Sequence, residues 1–319
     1  MSILPNRGPN CGPNRRLILA GALAAAAMSA AVVPVRAVAA PAGRRRFGVT
    51  LHPYYSYVAN IVGDAAEVVP VIPAGFNPHA YEPRPEDIQR IGGLDAIVLN
   101  GIGHDDFAGR MIAASAKPSL PVVESNADVP LLPAAGTAAR AAGKVVNPHS
   151  FLSITNSVLQ VSTIARELGR LDPDNAAAYA ANARTYSRRL RQLRADALAK
   201  LATAGTASLR VATIHGAYDY LLREFGLEVS AVVEPAHGIE PSPAQLAETI
   251  ATMRKLDVQV IFSELNFPSA YVETIRRETG IRLYAFSHIS HGDYAPDLFE
   301  REMARNLDTL VLAMAEAAP

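Results

Sequence analysis

The side chains best suited to chemistry in this sequence are its eight histidines, His52, His79, His104, His149, His215, His237, His288 and His291. Three ligand-type residues stand at the ends of apolar, strand-like runs. His215 follows the run that closes at Ile214, Glu264 follows Ile261-Phe262-Ser263, and His288 follows Ala285-Phe286-Ser287. In an open parallel sheet the carboxyl ends of strands open onto the ligand crevice, so these three side chains are expected in one crevice. Two more histidines share a different context, Asn77-Pro78-His79 and Asn147-Pro148-His149. Proline fixes φ and removes a donor, so each ring is held on a stiff turn, as suits a ligand whose angle must be set. A histidine-dominated set points to a borderline-soft transition ion. Zinc takes neutral imidazole nitrogen at about 2.0–2.1 Å in tetrahedral geometry. Calcium and magnesium want oxygen, and manganese prefers more carboxylate than four histidines offer. Copper would bind such a set at least as tightly as zinc, so availability has to decide between them.

These residues need a scaffold, and its pattern is α/β. Runs rich in valine and isoleucine at 47–51, 66–72, 96–100 and 121–124 read as strands, with helical segments at 85–91 and 106–116. The C-terminal half repeats this, with strands at 209–214, 228–233, 258–263 and 282–286 and helices at 218–225, 242–256 and 269–280. Non-alternating buried strands spaced by helices argue for parallel βα units. Between the halves, Asp172-Pro173-Asp174 reads as a helix start. No glycine or proline follows until after residue 202. That predicts one helix of roughly 45 Å, read as a rigid connector. The expected division is 1–42 leader, 43–171 N-terminal α/β lobe, 172–204 connecting helix and 205–319 C-terminal α/β lobe. The segment 133–144, rich in alanine and glycine and free of histidine, reads as a surface loop.

Residues 1–42 carry Arg7, Arg15, Arg16 and Arg36 and no acidic residue. An alanine-rich apolar run and small residues follow Arg15-Arg16, the order of a secretory signal peptide. Without that leader the basic residues fall from 30 to 26 against 30 acidic ones, which excludes the basic excess of a nucleic-acid binder. The only cysteine, Cys11, would leave with it. Because Cys11 precedes the apolar run it cannot be a lipid-anchoring residue. A soluble, monomeric periplasmic protein without disulfides or a membrane span is expected.

At Asn77-Pro78-His79-Ala80-Tyr81-Glu82-Pro83 the sequence resembles the zinc/manganese solute-binding proteins of bacterial ABC importers. The resemblance continues through Asn100-Gly101-Ile102-Gly103, Asn147-Pro148-His149, Thr213-Ile214-His215-Gly216-Ala217-Tyr218, Glu240-Pro241-Ser242, Phe262-Ser263-Glu264 and Asn306-Leu307-Asp308. It implies two Rossmann-like (βα) lobes joined by a long rigid helix, with the metal in the interlobe cleft and an ABC permease as partner. It also implies that His79 and His149 are the N-lobe ligands and His215 the first C-lobe ligand. The family's fourth ligand is an aspartate in a Phe-Thr-Asp-like context. Here Phe286-Ser287-His288 puts a histidine there, and Glu264 is the alternative fourth ligand or a carboxylate acceptor behind a ligand imidazole. Histidine at the third and fourth positions favours Zn²⁺, with Mn²⁺ the alternative, although 133–144 lacks the histidine-rich loop of many zinc members.

The remaining histidines receive plainer readings: His104 and His237 as loop residues, His52 as a cleft-lining residue, His291 as a competitor of His288. Gly101-Ile102-Gly103 lacks the third glycine of a dinucleotide fingerprint. Tyr54, Tyr55 and Tyr57 read as packing residues of the cleft. A zinc hydrolase with Glu264 as base, or a free-standing metal chaperone, is the competing function; no His-Glu-x-x-His pattern supports the former. Replacing His79, His149 or His215 by alanine should lower metal affinity sharply. Because imidazole must be neutral to ligate, affinity measured by competition titration should also fall below roughly pH 6.

Overall fold

A computed structural model describes residues 43–76, 81–134, 146–204, 209–234, 239–265 and 270–317. The expected leader, His79, His237 and most of the 133–144 loop lie outside the described residues.

Two four-stranded parallel sheets carry the structure. The first contains β1 (Arg45–Val49), β2 (Ala66–Pro70), β3 (Ala96–Leu99) and β4 (Val122–Glu124) in the order β2-β1-β3-β4. The second contains β5 (Val211–Thr213), β6 (Val229–Val232), β7 (Val260–Glu264) and β8 (Arg282–Phe286) in the order β6-β5-β7-β8. In each sheet the strand order reverses beside the first strand, which is where an open α/β sheet forms its ligand crevice. Strand β3, Ala-Ile-Val-Leu, is buried along its whole length, as a strand covered on both faces must be. At Gly48 on β1 a Cβ would come within 2.5 Å of Leu94 Cδ1, so a side chain there would require the Leu94 side chain to shift.

The first sheet is covered by α1 (His52–Val62), α2 (Pro85–Ile91), α3 (Phe107–Ala114) and α4 (Ile154–Leu171). The 29-residue α5 (Ala176–Ala204) follows, about 44 Å long. The second sheet has α6 (Asp219–Glu224), α7 (Pro243–Lys255) and α8 (Ala270–Thr279), and α9 (Leu298–Ala317) ends the described chain. Helix α1 was not evident as a helix in the sequence. Its buried Tyr54, Tyr57, Val58 and Ile61 fall at the helical spacing of one apolar face, so Tyr54 and Tyr57, read as cleft packing, belong to the core instead.

The apolar interior is shared between the two sheets. A single cluster runs from Phe47 and Val98 through Tyr179, Tyr186 and Leu190 of α5 to Phe262, Phe286 and Met314. Two smaller clusters lie on the outer faces, one around Ile97 and Met111, the other around Ile261 and Ile275. The inner cluster binds both sheets to α5. Ion pairs continue the link: Arg189 of α5 meets Glu300 of α9 at 2.8 Å, and Lys200 meets Asp308 at 2.7 Å.

Glu224 ties the halves most directly. Its carboxylate accepts from the Ile154 and Thr155 backbone N–H groups at 2.8 and 3.1 Å, the exposed donors at the start of α4. It also accepts from the Thr155 hydroxyl and from Arg194 Nε at 2.7 Å. Glu224→Ala strips these donors of their partner and should lower the unfolding free energy by about 2–3 kcal/mol, read as a drop in the urea midpoint. Glu224→Gln, which keeps one acceptor oxygen, should cost less.

Candidate metal centre

Five ligand-type side chains converge where the carboxyl ends of the two sheets meet. His215 lies two residues past β5, Glu264 is the last residue of β7, and His288 lies two residues past β8. His104 stands in the turn after β3, and His149 precedes the short helical turn Ser150–Leu152. All five are buried. Their donor atoms form two groups that share His288: His104, His149 and His288, and His215, Glu264 and His288. Within each group the atoms lie within 4.8 Å of one another. The His149 and His215 Nε2 atoms are 3.2 Å apart. Two imidazoles each about 2.1 Å from one ion, at adjacent coordination positions, would bring their nitrogens to about that separation.

The rings are oriented from behind. Asn147 Oδ1 accepts from His149 Nδ1 at 2.8 Å and from the His149 backbone N–H at 3.1 Å. The Asn147 amide is itself fixed, because its Nδ2 donates to the Gly216 carbonyl at 2.8 Å and to Asp219 at 3.1 Å. An oxygen acceptor on Nδ1 selects the tautomer whose lone pair is on Nε2, facing the cluster. His288 Nδ1 pairs with Ser290 Oγ at 2.8 Å. The loop is pinned on α9, where Asn306 accepts from Ser287 N at 2.7 Å and donates to Ser287 O at 2.8 Å. Ile289 next to it has φ 59, a left-handed conformation that costs a β-branched residue energy and that the surrounding contacts sustain. The carboxylate behind His215 is Glu234, 3.8 Å from its Nδ1; Tyr271 donates to Glu234 at 2.6 Å. Burial, reinforced by repulsion from Glu234, raises the Glu264 carboxyl to about 8, so without a cation it is protonated at neutral pH.

Of the residues singled out in the sequence, His149, His215, His288 and Glu264 are brought together, and His79 lies outside the described residues. His104, read as a loop histidine, joins them: its ring centroid is 5.0 Å from that of His149 and 5.5 Å from that of His288. Its turn is built by Asp105, which accepts from Asn100 N at 2.7 Å, Gly101 N at 3.0 Å and the Thr50 hydroxyl at 2.6 Å. Gly101 and Gly103 take positive φ, 74 and 108, which only glycine adopts without strain. The Asn-Gly-Ile-Gly stretch therefore serves to turn the chain so that His104 faces the cluster. The signal available in the sequence was position alone: His104 also follows a strand. His52 belongs to neither donor group. It bonds the Gly292 carbonyl at 2.9 Å and stacks on Tyr294 at 4.0 Å, holding the loop after His288 against α1. Burial pushes its pKa down to about 4, so its ring is neutral at physiological pH.

Residues 48–313 match the family model described as ZnuA, zinc-uptake complex component A, periplasmic. The manganese-binding lipoprotein MntA of Halalkalibacterium halodurans is 25% identical over 261 residues, covering 81% of this chain and 84% of the relative. Among solved structures, the SBP FpvC of Pseudomonas aeruginosa in complex with Mn²⁺ is 72% identical, with a TM-score of 0.83 over 86% of this chain and 100% of that one. Its complex with Ni²⁺ aligns at 69% identity and a TM-score of 0.81, over 86% of this chain and 98% of that one. Asn147→Leu removes the acceptor that orients His149. It should weaken metal binding by about 10–100-fold while leaving the far-UV circular dichroism spectrum unchanged.

Proposed function

The chain belongs to the ZnuA family of metal-binding substrate-binding proteins of ABC importers, and from that premise we propose that it captures one first-row divalent transition ion in the cleft and hands it to a membrane permease. It is a binding protein and not an enzyme, which sets the hydrolase expectation aside. The observation that carries the proposal is the pair of donor groups joined at His288, with His149 and His215 nitrogens at ligand spacing. In this reading His104, His149, His215 and His288 supply imidazole, Glu264 supplies a carboxylate, and His79, which follows Asn77-Pro78 in the sequence, is the further N-terminal ligand.

The number of donors bears on the metal. Zinc in a closed protein site takes four ligands, and the donors here fall into two triads that share His288 rather than into one set of five mutually close atoms. The similar proteins solved in complex with Mn²⁺ and Ni²⁺ favour one of those ions. Zinc is the second reading, supported by the imidazole majority and by the family description. The raised Glu264 carboxyl would release its proton as the cation arrives, so uptake should be accompanied by acidification. No helix among the described residues is long and apolar enough to cross a membrane. With residues 1–42 read as a leader, we place the protein in the periplasm.

Elemental analysis should find one ion per chain. His104→Ala should weaken binding and lower the coordination number seen in the visible spectrum of the cobalt- or nickel-loaded protein. Unchanged affinity in both His104→Ala and His149→Ala would overturn the site. Preference for zinc in competition with manganese and nickel, with a tetrahedral cobalt spectrum, would decide for the second reading.

A further inference from the structure

Away from the metal centre, helix α5 carries six basic residues and a single acidic one, Asp196. Three of the six are used inside the fold: Arg189 pairs with Glu300, Arg194 with Glu224 and Lys200 with Asp308. The other three, Arg184, Arg188 and Arg191, are exposed and have no carboxylate partner among the described residues. Their spacing of four and three residues puts them on one face of the helix. That face forms one rim of a groove of about 740 Å³ between α4 and α5. Arg166 and Arg170 of α4 also line it, and these two are partly neutralised by Asp128 and Glu167.

The groove floor is made of small residues, among them the buried Ala165, Gly169, Ala183 and Ser187. Where α4 ends and α5 begins the two helices come close enough that a Cβ on Gly169 would lie 3.2 Å from Ala176 Cβ. A floor of small side chains lets another helix approach closely and pack ridge into groove. Arginine offers a planar fork of donors that matches carboxylates better than any other cation. The surplus of cations is local, since the whole chain carries 30 basic and 30 acidic residues. A solvated helix face needs neither a channel nor a small-residue floor, and a membrane surface would favour a convex cationic face over this concave one.

We infer that the α4–α5 groove is a docking surface for an acidic helical segment of a partner protein. Glutamates or aspartates on the segment's flanks meet Arg184, Arg188 and Arg191 on one rim and Arg166 and Arg170 on the other, while its alanine-like stripe rests on the floor. The groove is distinct from the metal cleft, so docking requires no change in metal occupancy.

The probe is a synthetic helical peptide of about 18 residues, with glutamates at helical spacing along both flanks of an alanine stripe. It is titrated into the full chain by calorimetry at low ionic strength. One peptide should bind per chain, and binding should weaken about tenfold or more in high salt. It should weaken at least as much in the Arg184→Glu/Arg188→Glu/Arg191→Glu variant, whose unchanged metal affinity shows that it is folded. A peptide with glutamine in place of glutamate should not bind. Absence of binding by the glutamate peptide overturns the proposal, as does equal binding by the glutamine peptide or by the triple variant. Arginine-dependent binding to phosphatidylglycerol vesicles without peptide binding would assign the face to a membrane surface and equally overturn it.

Discussion

An imidazole can bind a cation only through a nitrogen that has given up its proton, and the centre is organised around that requirement. Each ring has to be buried, neutral and turned so that its remaining proton points away from the cluster. Asn147 does this for His149, and its own orientation is set by the Gly216 carbonyl and Asp219 on the opposite half of the protein. Ser290 stands behind His288 and Glu234 behind His215. Burial that would be costly for a charged ring is tolerable for a neutral one with a partner on Nδ1. The supports come from both halves, so the site depends on how the two sheets are held together.

That arrangement rests on the core. The sheets share the cluster that runs along α5, and Glu224, Arg189 and Lys200 lock helices across the same boundary. Breaking such contacts to swing the halves widely apart would expose much apolar surface, at about 25 cal/mol for each Å². A wide hinge is therefore costly, in keeping with a helix connector in place of a flexible linker.

The charge distribution follows from the same construction. α5 contributes aromatic and aliphatic residues to the core along one stripe and cations elsewhere. Where α9 and α6 cover it, those cations are matched by Glu300, Asp308 and Glu224. Beside α4 the side chains are small and the cations unmatched, leaving a groove where the rest of the helix is covered.

Residue types and local spacing determined a good deal by themselves. Alternation of apolar runs and helical segments is local, and it located all eight described strands to within a few residues. Asn-Pro before His149 and the strand ends before His215, Glu264 and His288 were legible because each is a matter of neighbouring residues. The chemistry of the ion class followed from the abundance of imidazole. Helices α1, α4 and α9 were less visible: the tyrosines of α1 resembled cleft aromatics, and the partners of the other two faces lie far away in the chain. Only the tertiary structure decided that His104 belongs with His288, that Glu234 stands behind His215, and that one core serves both sheets. Those facts depend on packing between segments widely separated in sequence, where no periodicity reports which side chains meet. The supply of imidazole is thus written in the residues, while which of these donors meet is set by how the two sheets face each other.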